Sequence, residues 1–391
     1  MTTGVPTEFA GQRGPLFRLA FRTGVLTVLT LGIYRFWMKT RLRRYYWSSV
    51  RPGGHPLEYV GDPTEKLLGF LIAVVALAFY IGIVNLILMY LSFALFQGDV
   101  TAYALSFLGV IPIWFYAMYR ARAYVLARTR WRGIRFGVEP GAWGYAARAL
   151  LHWTITILSL GLLWPRMTFM LEKYKIDRTF LGNQRLHQGG RWQMLYRPFL
   201  PAALCGAGIL LGSLAFGIDS FDTGLLLLLP AVFALLPAIL HYNVQSRRLL
   251  ANTRTAGPLG LIAAPRTSTV LGIYTGGYAL ILLALGALLF AASIALGLIF
   301  GVAAATLPNL EDLPEVPVWI PAAFGIATYF AFFLLWGVLG HVFVTLPLWR
   351  HYAETLTVTG TENLSALRQR PRDELEQAEG FAEALDLGAA I

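Results

Sequence analysis

Two stretches of this chain, 67–96 and 276–303, contain no charged residue. Each is longer than the roughly 20 residues an apolar helix needs to cross the core of a bilayer. A helix that is apolar on every side has to be buried all round, in protein or in lipid. Composition favours lipid. Of 391 residues, 57% are hydrophobic and 14% charged, against about 25% charged in ordinary soluble domains, so most helices have no water-facing side. The opening residues, MTTGVPTEFAGQRGP, lack the basic, then apolar, then small-residue layout of a cleaved export signal. The apolar spans are therefore expected to be their own insertion signals. A single cysteine, Cys205, lies within an apolar run and excludes an internal disulfide framework.

Eight segments are candidates for membrane residence: 19–38, 67–96, 102–119, 145–164, 200–216, 223–242, 276–303 and 319–346. Charge sorts them, because Lys and Arg collect on the cytoplasmic side. All 32 basic residues fall within 1–66, 120–197, 247–266 and 350–372, while 97–101, 217–222 and 304–318 carry only acidic charge. This predicts three outward hairpins with both termini in the cytoplasm of a bacterial inner membrane. Segments 19–38 and 145–164 are flanked by basic residues on both sides, so they read as re-entrant or interfacial helices. The expected fold is an all-α integral membrane bundle with internal repeats, six crossing helices and small cytoplasmic β-hairpins; eight crossings is the alternative. The chain then divides into repeat units 1–66 and 120–199, transmembrane hairpins 67–119, 200–242 and 276–346, a basic cytoplasmic segment 243–275, and an acidic cytoplasmic tail 347–391.

The two non-crossing segments resemble each other at an offset of 129 residues: VLTLGIYRFWMKTRLRRYY (28–46) aligns with ILSLGLLWPRMTFMLEKYK (157–175). Matching positions include Gly32 with Gly161, Met38 with Met167, Leu42 with Leu171 and Tyr45 with Tyr174. Met, Leu and Tyr recur at i, i+4 and i+7, one face of a helix. The glycine falls where the apolar run ends and a turn is needed. LARTRWRG (126–133) and LANTRTAG (250–257) form a second pair. TLGIYRFWMKTRLRRYYW, PGGHPLEYVGDP, RTRWRGIRFGVEPGAWGY and the ending EGFAEALDLGAAI together resemble the YjgN-like family of bacterial inner-membrane proteins. The resemblance covers nearly the whole chain. It departs at Phe36-Trp37, at Trp164-Pro165 and around 258–276. It implies location and fold, and brings no substrate, cofactor or catalytic residue.

LEYVGD after Pro52, RTFLGNQRLHQGG (178–190), TRWRGIRFGVEP (129–140) and TLTVTGT (355–361) have the alternation and turn residues of strands. Isolated two-stranded hairpins are marginal in water, so a small cytoplasmic β-rich layer is expected. The basic, aromatic-interleaved runs at 35–47 and 120–135 present Lys39, Arg41, Arg43, Arg44, Arg130, Arg132 and Arg135 as contacts for anionic lipid headgroups. The plainer reading is that they only set topology and anchor the interface. Nucleic acid is not expected, for no binding-fold signature accompanies the charge.

The six proposed crossings hold no Asp, Glu, Lys or Arg, which argues against an ordinary proton-coupled transporter. Asn85, His241, Asn243 and His341 are their polar candidates. Neither HExxH, GxSxG, a P-loop nor CxxC occurs, and the six histidines lack metal-ligand spacing. Glu172 beside Lys173, and Glu58 near Asp62, read as surface charges. No catalytic residue, metal or cofactor is expected, and the protein reads as a non-enzyme. Two functional readings stay open: a transport- or channel-like protein for a small solute or lipid, and a scaffold binding anionic lipid or a partner at the inner leaflet.

Overall fold

Strands of three to six residues cannot stand alone, and in this chain they assemble into one sheet. The computed structural model describes residues 4–95, 101–218, 221–305 and 319–370. Most of the three acidic connections, the side chain of Asn85, and Phe381, Leu385 and Leu387 of the acidic tail lie outside the described residues.

Ten strands occur among them: β1 (Gly4–Phe9), β2 (Val50–Pro52), β3 (Leu57–Tyr59), β4 (Thr129–Trp131), β5 (Ile134–Val138), β6 (Thr179–Leu181), β7 (Gln184–Gln188), β8 (Arg254–Ala256), β9 (Leu259–Ala263) and β10 (Leu356–Thr359). Their order is β2-β1-β10-β9-β8-β7-β6-β5-β4-β3, and every pairing is antiparallel. This is a nearly closed, barrel-like meander that follows chain order, joined through β1 and β10 and unladdered only between β2 and β3. Along the sequence, a tight turn between strands alternates with a helical insertion. Closing a sheet on itself removes the exposed edges that short strands would otherwise present.

This overturns the expectation of an all-α bundle carrying small separate hairpins. The segments holding β3 to β7 and β10 were legible, and β4–β5 and β6–β7 pair locally as hairpins; β1, β8 and β9 were not read as strands, and six of the nine ladders join strands distant in sequence. The residues flanking Gly53 and Gly54 do not ladder with each other: β2 pairs with β1 and β3 with β4. Six crossings, and the alternative of eight, are likewise replaced. Among the described residues four helices are long and apolar enough to cross a membrane: Trp192–Gly217, Phe221–Asn252, Thr267–Leu298 and Trp319–Glu354. The described parts of α3 (Pro63–Leu95) and α4 (Thr101–Ala127) do not join them. The last turns of α4 are protein core, with Tyr119, Ala123 and Val125 buried.

Contacts divide the chain into two units, neither contiguous in sequence. The first comprises Met1–Phe9, Trp47–Thr267 and Tyr352–Ile391, and holds the whole sheet. Its helices include α5 (Ala142–Leu158), α6 (Trp164–Ile176), α7 (Tyr196–Gly217) and α8 (Phe221–Asn252). α7 and α8 pack closely because glycines face the partner helix: a Cβ on Gly212 would lie 3.0 Å from the Gly224 carbonyl, and one on Gly208 would lie 2.9 Å from the Ala231 Cβ.

The second unit comprises Ala10–Tyr46 and Ser268–His351. It holds α1 (Arg13–Leu29), most of α2 (Arg35–Ser49) and α9 (Thr267–Ala305), and α10 (Trp319–Leu339). A π-helical turn, Gly340–Thr345, links α10 to α11 (Leu346–Glu354). Ile281, Leu285 and Val344 form its buried centre. Gly24 of α1 faces Leu334 of α10.

One turn occurs in both units with the same hydrogen bonds. In α1–α2, Leu31 and Gly32 have φ of 49° and 93°, and the Gly32 N–H donates to Thr27 O at 2.7 Å. In α5–α6, Leu160 and Gly161 have φ of 51° and 85°, and the Gly161 N–H donates to Thr156 O at 2.8 Å. Tyr45 OH donates to Gln12 O at 2.7 Å, and Tyr174 OH donates to Gly141 O at 2.8 Å. Positive φ at Gly32 and Gly161 is the conformation glycine adopts without steric cost.

Candidate functional site

Alternation along a strand sends every second side chain to one face, and in this sheet the inner face is apolar. Trp131, Leu181, Ala256, Leu259 and Val358 are buried together, with Leu57, Phe136 and Leu186 packed against them. Eight strands make a barrel just wide enough for side chains to fill or for one small ligand. With ten short strands, space remains: a cavity of about 210 Å³ lies between Trp131, Leu186, Leu261, Leu356 and Val358. Among the described residues Arg254 is the one charged residue on its wall. The segment following β10 packs on the same cluster through Leu364 and Leu367. It is tied down by Arg368, whose carbonyl accepts from the Asn183 N–H at 2.9 Å and whose N–H donates to Asn183 Oδ1 at 3.0 Å. The Arg135 N–H donates to Gln369 Oε1 at 3.0 Å.

Behind the cavity wall a polar network holds Arg254. Its Nη2 donates to Glu172 Oε1 at 2.7 Å and its Nε to Gln188 Oε1 at 3.0 Å. The other Glu172 oxygen meets Lys175 Nζ at 2.6 Å. Gln188 is buried, and its Nε2 donates to Thr253 Oγ1 at 2.7 Å and Leu250 O at 3.1 Å. Its backbone N–H donates to Asp177 Oδ1 at 2.8 Å, and Asp177 also pairs with Lys173. Burial works against the charge on Glu172, yet Lys175, Arg254 and Arg122 outweigh it and hold the carboxyl well below the usual carboxylate range. Burial lowers the proton affinity of Arg254, and Glu172 acts in the opposite sense. Burial also pushes the Tyr145 hydroxyl up to about 12, with Glu172 adding to the rise. Glu172 is thus an ion-paired structural carboxylate, in contrast to its reading as a surface charge.

The residues named from sequence fall into the two units. Lys39, Arg41, Arg43, Arg44, Gly32 and Tyr45 lie in the second; Arg130, Arg132, Arg135, Gly161 and Tyr174 lie in the first. Arg43 is buried, Lys39 half-buried, and Arg41 and Arg44 exposed. Arg130 lies opposite Glu58 on β3 and Arg135 on β5, so these three form one cross-strand row. Arg132 is exposed at the β4–β5 turn, with φ of 52°. Two guanidinium groups meet the Tyr174 ring, Arg178 at 3.8 Å and Arg148 at 4.7 Å from its centre. Neither the cavity nor the Glu172–Arg254 pair was visible in the sequence; the Glu172 to Lys175 spacing was the one local signal for the pair. His341 hydrogen-bonds Tyr46 at 3.1 Å, and His241 meets Thr267 at 3.3 Å. Among the described residues no three His, Cys, Asp or Glu side chains gather as a metal-ligand set.

The chain belongs to the family described as bacterial protein of unknown function (DUF898), whose model matches residues 5–384. No curated protein and no solved structure matches the chain.

Proposed function

We propose that this is a multi-pass protein of the bacterial inner membrane, with both termini in the cytoplasm, that handles a small apolar solute or lipid without covalent chemistry. The observation behind this reading is the cavity enclosed by the ten-stranded sheet, whose apolar lining suits an uncharged, oily guest. An apolar cavity of about 150 Å³ takes a molecule the size of benzene, so this one has room for a modestly larger guest. Arg254 offers little to an anion there, because Glu172 and Gln188 already engage it. Sidedness rests on charge. In the α7–α8 hairpin, Arg197, Arg247 and Arg248 lie at one end and Asp222 at the other, the arrangement that puts the basic end inside. Duplication of the hairpin carrying the Gly32 and Gly161 turns is part of the same reading, since like units commonly make up transporter folds.

Filling the cavity tests the proposal. Protein extracted gently from its membrane and weighed intact by native mass spectrometry should carry a small apolar guest. Ala256→Phe, which places a ring in the cavity, should lose that guest while the protein keeps its thermal unfolding midpoint within a few degrees. A guest retained at wild-type occupancy by a folded Ala256→Phe protein would sink the cavity reading.

The second reading, a scaffold that binds anionic lipid or a partner at the inner leaflet, draws on the exposure of Arg41, Arg44 and Arg132.

A further inference from the structure

The α5–α6 hairpin ends in a turn whose apolar side chains are exposed among the described residues. Leu158 is 79% exposed, Leu160 81% and Leu162 60%, and Ile157 and Leu151 are exposed beside them. A soluble surface seldom leaves so many large apolar side chains together. Behind the tip comes an aromatic pair: Trp153 of α5 and Trp164 of α6 meet edge to face at 5.4 Å. Tryptophan in this position is the usual marker of headgroup depth.

At the level of that pair the hairpin holds positive charge without a carboxylate partner. Arg148 and His152 are four residues apart on α5 and so share a face. Arg166 on α6 lies near enough to His152 for the two side chains to interact, as does Arg148, and the Trp153–Trp164 contact sets the two helices at matching levels there. Among the described residues Arg166 makes no ion pair, and Arg148 donates to the Gly144 carbonyl and covers the Tyr174 ring. The Nδ1 atom of His152 is buried with no hydrogen-bond partner. The other ring nitrogen of this imidazole, with two guanidinium groups on the same hairpin, makes a donor set suited to phosphate oxygens.

The spacing matches a leaflet. Six residues separate His152 from Leu158, and five separate Gly161 from Arg166. At 1.5 Å per helical residue His152 lies roughly 9 Å behind the apolar tip, and Arg148 about one turn further back. Helices lying in a membrane interface bury their apolar face by about 5–10 Å. We propose that the 151–164 tip dips into one leaflet, and that Arg148, His152 and Arg166 together seat the phosphate of an anionic phospholipid. The seat is separate from the sheet cavity and from the basic residues of α2 and β4–β5. It requires that the chain lie in a membrane, and does not depend on what the cavity holds.

The test uses the full chain in nanodiscs of phosphatidylcholine with and without one-fifth phosphatidylglycerol. Native mass spectrometry after release counts retained phosphatidylglycerol. Among the described residues Arg166 makes no ion pair, so Arg166→Gln should leave folding unaffected; Arg166→Lys keeps the charge and should retain part of the binding. Wild type is expected to retain one phosphatidylglycerol that Arg166→Gln loses by about tenfold, and that 20 mM inorganic phosphate does not displace. Equal retention by wild type and Arg166→Gln would overturn the seat. Displacement by inorganic phosphate would assign it to a free anion and overturn the leaflet assignment. For the tip, a bimane on Leu162→Cys in a Cys205→Ala background should be quenched by lipid bearing a nitroxide near the top of its acyl chain. Absence of that quenching would remove the tip from the leaflet.

Discussion

At the scale of single residues, the Glu172–Arg254 pair shows how charge can be retained behind an apolar wall. Both side chains are largely covered, at 19% and 22% exposure, and each has a second partner, Lys175 for the carboxylate and Gln188 for the guanidinium. Removing one partner of such a pair leaves the other buried and unmatched, a change that typically costs about 3–5 kcal/mol. Glu172→Gln should therefore lower the thermal midpoint of the detergent-solubilised protein by several degrees at pH 7. The pH dependence has a definite sign. A carboxyl held low in the folded state contributes stability above its unfolded value of about 4.3, and that contribution fades as pH falls toward the depressed folded value. The gap between wild type and Glu172→Gln should be full at pH 7 and narrow steadily below about pH 4. A gap that widens on acidification would contradict the pairing. From sequence, Glu172 looked like a surface charge because only Lys173 and Lys175 are near it along the chain. Arg254, its nearest guanidinium, lies beyond two helices and two strands.

Among the elements, glycine patterns separate packing from decoration. GILLG and GIYTG both match the spacing of close helix contacts, but the structure treats them differently. Gly212 lies against the backbone of Gly224 and Leu228, whereas Cβ atoms on Gly272 and Gly276 would meet open space. Overpacking a tight contact costs about 1–3 kcal/mol. Gly212→Val should lower the unfolding midpoint of the solubilised protein, and Gly276→Ala should leave it unchanged or slightly raised. Equal effects at the two sites would mean that α7 and α8 do not pack through this face. Elements were the most legible level of the sequence. The LTLGIY and LSLGLL turns, the strand character of 129–140 and 178–190, and the apolar runs of α7 to α10 could all be read from periodicity and glycine placement. The β6–β7 hairpin could be read from its Gly-Asn turn; the ladders between hairpins could not, because each, of three or four residue pairs, joins strands that arrive from distant parts of the chain.

For the molecule as a whole, the charge map is the expectation from sequence that experiment can test most directly. If all basic residues face the cytoplasm, Arg41→Cys and Arg185→Cys, each in a Cys205→Ala background, should resist a membrane-impermeant maleimide applied to intact spheroplasts. Both should label after permeabilisation. Labelling of either from outside would reverse or break the proposed orientation. The sheet has a different relation to the chain. Its first strand ends at Phe9 and its ladder partner begins only at Leu356. Translation at 5–20 residues per second puts roughly 20–70 seconds between the two. During that interval β1 can pair on one side at most, while the apolar helices are already leaving the ribosome for the bilayer. The ring is therefore a clasp fastened late, for it can close only once β10 has left the ribosome.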